Sequence, residues 1–219
     1  MDNSLRRNYG TNKGQISAGK YNLVVGLTLI WGFVVNYLMV LNIDPEIIIT
    51  IPIWLFFIGY FVCCMAGIYL FESSAQPAIS FLGYNLVVVP FGLIINLVVS
   101  SYDPTLVLEA LRITTIVTLA MMILGTLFPA FFARIAGALT IALLLVIIVE
   151  LVELFIFKTH HGITDWIVVL IFCGYIGYDW GRANAKEKTV DNAIDSAAAL
   201  YMDIINLFLR ILSILGRRN

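Results

Sequence analysis

The sequence predicts an all-α integral membrane protein with seven transmembrane helices. Hydrophobic residues make up 61% of the 219 residues and charged residues only 12%, and the mean hydropathy of +0.96 is well above the average of soluble proteins. Seven apolar runs have about the 20 residues that an α-helix needs to cross a bilayer. The formal net charge of -1 gives no general attraction to nucleic acid, so electrostatic arguments depend on where the charges lie.

The seven apolar runs follow one another with short polar connections. They extend from Tyr21 to Leu41, Ile47 to Phe71, Ile79 to Val99, Leu106 to Phe128, Ile135 to Phe157, Ile163 to Trp180 and Ala197 to Leu215. The first run exceeds a signal-peptide core and has no small-residue cleavage site, so we expect the N-terminus to be retained. The connections leave no room for a second soluble domain. We therefore divide the chain into a polar basic N-terminal segment (1–20), a seven-helix membrane domain (21–216) and a short basic tail (217–219).

The distribution of lysine and arginine predicts the orientation. Basic residues lie before the first run, before the fifth, and between the sixth and seventh: Arg6, Arg7, Lys13, Lys20, Arg134, Arg182, Lys186 and Lys188. Because basic loops remain in the cytoplasm, we expect these stretches and the N-terminus on the cytoplasmic side. Arg217 and Arg218 oppose the pattern, so either the last helix is re-entrant or the earlier signals override it. The short N-terminus and small loops favour a bacterial plasma membrane.

The seventh run carries a polar stripe. On a helical wheel that turns about 100° per residue, its polar side chains lie within roughly 80° of Asp203. They are Asn192, Asp195, Ser196, Asn206, Arg210 and Ser213. A charged stripe facing lipid costs several kcal/mol per charge, so the stripe should face the bundle interior. The seventh helix is therefore predicted to be central, with Asp195, Asn206 and Arg210 as candidate pore or latch residues.

Two carboxylates are predicted to meet inside the membrane. Asp179 lies roughly 24 Å along the sixth run from Ile163, and Asp203 lies at similar depth on the returning helix. Two carboxylates in contact in a low dielectric cannot both ionise easily, so we expect them to share a proton and titrate as one unit. The alternative is that Asp179 merely lies at the headgroup boundary beside Trp180 and Arg182.

Two segments closely resemble the C-terminal signature of the transmembrane Bax inhibitor motif family. They are GYDWGRA (177–183) and, after a short charged loop, ALYMDIINLFLRILSILG (199–216). The resemblance implies a seven-helix fold whose last helix is enclosed by the other six, a pH-sensitive calcium leak that opens on acidification, and functional aspartates at Asp179 and Asp203. Some relatives have a basic cluster after the second run, where this chain reads LFESSAQPAISFLG without an arginine. Arg210 is the remaining candidate to neutralise the pair.

Polar residues in other runs are further candidates. Asn85 and Asn96 share a face of the third helix and could line a pathway, although interhelical hydrogen bonding explains them as well. Glu150 and Glu153 lie near the outer end of the fifth run. They either attract cations to an outer vestibule or extend to the headgroups.

These observations predict a channel, not an enzyme, that lets calcium leak across the membrane with Asp179 and Asp203 as proton sensor and gate. No cofactor is expected. Calcium is the permeant ion, bound transiently by the two carboxylates because hard oxygen ligands suit it. The expected partners are the lipid bilayer, calcium ions and protons; no protein partner is indicated. The alternatives are a proton-coupled transporter and, more weakly, an intramembrane aspartyl protease, whose GxGD and PAL motifs do not match here.

Overall fold

The structure is a computed structural model that describes residues 14–157 and 162–217. Arg6, Arg7, Lys13 and Arg218 lie outside this range. The elements within it are eight α-helices and one π-helical turn: α1 (Ala18–Asn42), α2 (Pro45–Ile49), α3 (Ile53–Ser73), α4 (Pro77–Val99), α5 (Pro104–Leu127), α6 (Pro129–Val152), the π-helical turn (Glu153–Phe157), α7 (Gly162–Ala185) and α8 (Val190–Gly216).

Seven of the helices, all except α2, are long and apolar enough to cross a membrane. They contain 21 to 27 residues, and at about 1.5 Å per residue even the shortest exceeds the roughly 30 Å of a hydrocarbon core. This confirms the predicted all-helical, multi-pass class. Proline stands in the first turn of α2, α4, α5 and α6, where its missing N–H costs nothing and its fixed φ favours the helix.

Four of the predicted boundaries are wrong. The sixth helix ends at Ala185 rather than Trp180, so Arg182 lies inside α7. The second run forms two helices, because Pro52 keeps the residue before it out of the helical conformation. Helix α2 therefore ends at Ile49, and α3 begins at Ile53. The fifth helix begins at Pro129 rather than Ile135, and Arg134 therefore lies inside α6. The seventh begins at Val190 rather than Ala197, since Thr189 caps its first turn by accepting from the N–H of Asn192.

The last helix, α8, packs against four others: α1, α4, α5 and α7. Several of its side chains, among them Leu200, Leu207 and Leu212, have no exposed surface. The outer helices differ: α3 packs mainly on α4, and α6 mainly on α7. Enclosure of α8 by all six other spans stays a prediction.

Small residues allow two helix pairs to approach closely. A Cβ added at Gly67 of α3 would meet the carbonyl oxygen of Gly83 at 2.5 Å, and one added at Gly125 of α5 would collide with the carbonyl of Gly177 on α7. Inside a membrane such close contacts replace the hydrophobic driving force, because lipid tails are as apolar as the side chains. These glycines therefore bring α3 to α4 and α5 to α7.

Candidate functional site

The candidate site lies where α7 ends and α8 begins. The connection is short, and Lys188 closes the end of α7 by donating to the carbonyl oxygens of Ala183 and Asn184 at 2.9 and 2.7 Å. Its ammonium also lies 4.4 Å above the ring of Tyr21, and partial burial lowers the pKa of this lysine. The tight connection makes α7 and α8 antiparallel neighbours, so residues near the end of α7 face the first half of α8.

The N-terminal segment is held at the same end of the bundle. The N–H of Ile16 donates to the carbonyl oxygen of Lys188 at 2.8 Å, and the amide of Gln15 donates to the carboxylate of Glu187 at 2.5 Å. Tyr21, in the first turn of α1, shares a 2.9 Å hydrogen bond with Ser196. The start of the described chain and the α7–α8 connection therefore lie on one side of the membrane domain.

Asp179 of α7 and Asp203 of α8 lie in contact. Their carboxyl groups are within hydrogen-bonding reach of each other. Asp203 is only 7% exposed, and its Oδ2 has no donor among the described residues. Ionised carboxylates only accept hydrogen bonds, so two of them can bond to each other only if one carries a proton. The geometry therefore suits a shared proton.

A cavity of about 610 Å³ opens beside this pair, between the ends of α3 and α7 and the start of α8. Asp179 and Met202 lie in its wall, whereas Asp203, one residue further along α8, lies behind it. Asp203 is roughly 20 Å along α8 from Val190. The cavity wall therefore includes one member of the pair and not the other.

Charged groups of both signs line the cavity. Its wall carries Glu72, Asp179 and Asp195 together with Arg182 and Lys186. One carboxylate oxygen of Asp195, Oδ1, is buried without a hydrogen-bond partner in the described residues. In the part of the chain that the structure describes, no three acidic, histidine or cysteine side chains are grouped closely enough to hold a metal ion.

The opposite end of α8 carries a second cluster of charges, which we call the arginine cluster: Glu150, Asp165, Arg210, Ser213 and Arg217. Arg210 binds Glu150 at 2.6 Å and Asp165 at 2.9 Å, and Arg217 binds the other Asp165 oxygen at 2.6 Å. Ser213 donates to that oxygen at 3.0 Å. Asp165 has no exposed surface, so its carboxylate is enclosed by protein, where two guanidinium groups pair with it.

The arginine cluster changes the interpretation of several predicted residues. Arg210 binds Glu150 and Asp165, not the aspartate pair, and Glu150 is occupied by Arg210. Glu153 is 8% exposed and thus buried against protein. Sequence patterns did not identify Asp165 as the partner; the only signal was an unbalanced arginine in an apolar helix.

The cluster also bears on the re-entrant alternative for the last helix. α8 is an uninterrupted helix of 27 residues that runs beside α7 as far as the first turn of α7. The guanidinium of Arg217 is neutralised there by Asp165. A basic residue that is paired in this way exerts a weaker pull toward the cytoplasm, which favours a full crossing.

The amide side chains serve packing between or within helices. Asn96 donates to the carbonyl oxygens of Met39 and Ile43 at 3.1 and 2.8 Å and so satisfies the end of α1. The indole N–H of Trp31 donates to Asn85 at 3.0 Å. Neither Asn85 nor Asn96 lines the cavity beside Asp179. The geometry therefore favours the hydrogen-bonding interpretation of this pair over a pathway.

Asn206, on the polar stripe of α8, stays within its own helix. Its amide donates to the carbonyl oxygen of Met202 at 2.8 Å. Tyr201, which the sequence did not single out, is fully buried, accepts from Asn36 of α1, and packs edge-on against Tyr84 of α4 at 5.6 Å. The half of α8 that carries Asp203 is thereby fixed to α1 and α4.

Comparison with known proteins decides the family. Residues 16–219 match the model of the family described as Inhibitor of apoptosis-promoting Bax1. The chain belongs to this Bax inhibitor family. The match confirms the resemblance seen in the C-terminal segments and extends it over most of the chain.

Relatives of this Bax inhibitor family member occur in plants, fungi and bacteria. Protein LIFEGUARD 3 of Arabidopsis thaliana is 29% identical over 157 residues, which cover 67% of this chain and 60% of that protein. An uncharacterized membrane protein of Vibrio cholerae is 27% identical over 220 residues, covering 99% and 94% of the two chains. Bax inhibitor 1 of Schizosaccharomyces pombe is 32% identical over 127 residues, covering 57% and 47%. The matched part thus spans about half to nearly all of these relatives.

Proposed function

We propose that this protein is a pH-sensitive calcium leak channel in which Asp179 and Asp203 act as proton sensor and gate. The observation that carries the proposal is the contact between two carboxyl groups, one in the wall of a cavity and the other almost completely buried. Ionisable residues inside a membrane domain are costly and are retained where they serve a pathway. The pair links α7 to α8 through one proton, and a change in protonation alters that link directly.

The structure corresponds to a closed state in this proposal. The cavity gives access to Asp179, and beyond Asp203 the helix presents the buried Leu207 and then Arg210 of the arginine cluster. A calcium ion would meet an apolar segment and then two guanidinium groups. Opening therefore requires α8 to move relative to α7.

Acidification is the proposed opening signal. Arg182 and Lys186 follow Asp179 at the end of α7, line the same cavity and are attracted by its charge. Protonation of the pair removes that attraction and frees both basic side chains to leave the cavity. Glu72 on the α3 side of the cavity can then attract the cation. This direction agrees with the one that the family resemblance implies.

Calcium is the proposed ion because the groups on offer are hard oxygen ligands. Two carboxylates with few further oxygens bind a divalent ion weakly, and weak binding is what conduction requires. We place the protein in a bacterial plasma membrane with the N-terminus and the cavity on the cytoplasmic side, as the basic loops favour. We also place α8 at the centre of the bundle, in keeping with its packing against four other helices.

The test is calcium flux into liposomes that contain the purified protein, measured with an enclosed indicator at a series of pH values. Wild-type flux should exceed that of empty vesicles and change over about one to two pH units. Asp179→Asn and Asp203→Asn should each lower the flux and flatten its pH dependence. The double variant should be little worse than either single one, because the pair acts as a unit.

Glu46→Gln is the matched control, since it neutralises an exposed carboxylate in the first turn of α2. It should keep the flux and the pH midpoint of the wild type. Flux that equals that of empty vesicles at every pH would refute the channel. Calcium entry that stops when the proton gradient is removed would show a proton-coupled transporter instead.

A further inference from the structure

A long apolar groove opens on the lateral face of the bundle between α1 and α5. Its volume is about 590 Å³, and its floor is formed by α4 and by Ile204, Ile205 and Phe208 of α8. The floor residues of α8 are between 4 and 9% exposed, whereas residues on the rim, such as Ile30 and Leu119, are more than half exposed. The groove therefore leads from the outer surface of the bundle to the helix that carries Asp203.

The polar groups of the groove are few and uncharged, and two of their atoms, Asn36 Oδ1 and Thr118 Oγ1, are buried without a hydrogen-bond partner among the described residues. Thr114 and Thr115 donate to carbonyl oxygens of their own helix, α5, at 2.7 and 2.8 Å. The amide of Asn36 donates to Tyr201. The remaining surface is overwhelmingly aliphatic and aromatic. This surface has no charged group that could bind a polar ligand, but it can make extensive dispersion contacts with a hydrocarbon chain.

The length of the groove suits a hydrocarbon chain. Along α1 it runs from Gly26 to Val40, roughly 21 Å at the rise of an α-helix. One leaflet of a bilayer contributes about half of the roughly 30 Å hydrocarbon core. A single extended acyl chain of one leaflet can therefore lie along the groove.

We infer that the groove binds one acyl chain of a phospholipid from the surrounding bilayer. Both walls belong to helices that face the membrane, so hydrocarbon is the medium against which the groove opens. An unfilled groove would leave the floor of α8 without contacts on one side. The bound chain lies against Ile204 and Ile205, which directly follow Asp203, so this lipid forms part of the surroundings of the seventh span. The inference does not depend on calcium conduction.

The test is photo-crosslinking of the full-length protein in phosphatidylcholine vesicles that contain a small fraction of phosphatidylcholine with a diazirine on its acyl chain. After illumination, adducts are located by proteolysis and mass spectrometry. Phe208 on the groove floor should be labelled, whereas its neighbour Leu207, which is fully buried and does not line the groove, should not. Equal labelling of Phe208 and Leu207, or of neither, would overturn the inference.

A groove-filling variant makes the test specific. A Cβ added at Gly26 meets no atom within 4 Å, so the phenylalanine of Gly26→Phe can enter the groove without a clash at its base. Gly59→Phe is the matched control, because Gly59 of α3 is equally open but does not line the groove. Gly26→Phe should reduce the Phe208 adduct to the background measured at Leu207, and Gly59→Phe should leave it unchanged.

Two results would contradict the assignment. Undiminished Phe208 labelling in Gly26→Phe would show that the lipid reaches α8 by another route. A protein–protein crosslink through Phe208 in place of a lipid adduct would show that a second copy of the chain covers the groove. Labelling of Leu27, an exposed residue outside the groove, should be the same in all variants and thus reports that each one is folded in the bilayer.

Discussion

The middle and the C-terminal part of α8 accommodate charge inside a membrane helix in different ways. In the middle, Asp203 meets another acid, Asp179, and the contact requires a proton. In the C-terminal part, Arg210 meets Glu150 and Asp165, and the contact is between opposite charges. The two sites lie on the same stripe of one helix, roughly 10 Å apart along its axis.

The two sites differ in whether their charge can change under physiological conditions. An arginine keeps its charge at any accessible pH, so the arginine cluster is a fixed structural contact. A carboxyl pair gains or loses a proton within the range that cells experience when burial and mutual repulsion act on it. The arginine cluster is thus suited to hold α8, and the aspartate pair is suited to release it.

The same substitution at the two sites should give different losses of stability, and this is the largest effect we expect. Asp165→Asn leaves two guanidinium groups beside a neutral amide and should lower the free energy of unfolding by about 3 kcal/mol. If Asp203 shares a proton as proposed, Asp203→Asn replaces it with a side chain that also donates a hydrogen bond, so the cost should stay within about 1 kcal/mol. Unfolding in mixed micelles titrated with SDS measures both. Similar losses at the two positions would remove the distinction between the two sites.

A double-variant cycle on Arg210 and Glu150 tests whether the arginine cluster is held by charge. Arg210→Met alone leaves two carboxylates near each other and should cost about 2 kcal/mol. Glu150→Met in addition removes one of them and should restore part of the loss, with a coupling of about 1 kcal/mol. The same SDS titration gives the coupling. Additive costs would mean that the 2.6 Å contact contributes nothing to stability.

The acidic side chains at the cavity mouth should change the flux but not its pH midpoint. Glu72→Gln removes a carboxylate that lines the cavity without touching the aspartate pair. Calcium flux should fall about twofold to threefold at low ionic strength and recover toward wild type at high salt, because salt screens attraction across an aqueous cavity. A shifted pH midpoint in Glu72→Gln would instead assign this residue to the proton sensor.

The smallest expected effect concerns a pH response outside the site. Asp103 caps α5, and hydrogen bonds from Thr105 lower the pKa of its carboxyl group below the ordinary value. A carboxyl group whose pKa is lower in the folded state than in the unfolded state stabilises the fold at pH values above its unfolded-state pKa. This stabilisation is lost as the pH falls through the folded-state pKa. The protection factor of the Thr105 amide against hydrogen exchange should therefore fall only below about pH 4. Loss of this protection near neutral pH would attribute part of the pH response of the proposed channel to the cap.

Much of the fold followed from the sequence because its signals are local. Apolar runs of sufficient length predicted the seven long helices, and the polar stripe of the last run agrees with a helix that packs against four others. The contact between Asp179 and Asp203 could also be predicted from the sequence, because the depth of each residue along two helices joined by a short loop determines which residues meet. The boundaries at Pro52 and Thr189 were missed because apolar content hides where a helix is broken or capped.

Only the tertiary structure decided which groups neutralise one another and which surfaces stay open. Asp165 and Glu150 are separated from Arg210 by 45 and 60 residues, and nothing in the local pattern selects them over other acids. The groove between α1 and α5 likewise depends on how far apart two helices stand. Hydropathy along a chain specifies that a segment is buried in lipid or protein, but the partner of a buried charge is set by the packing of helices distant in sequence.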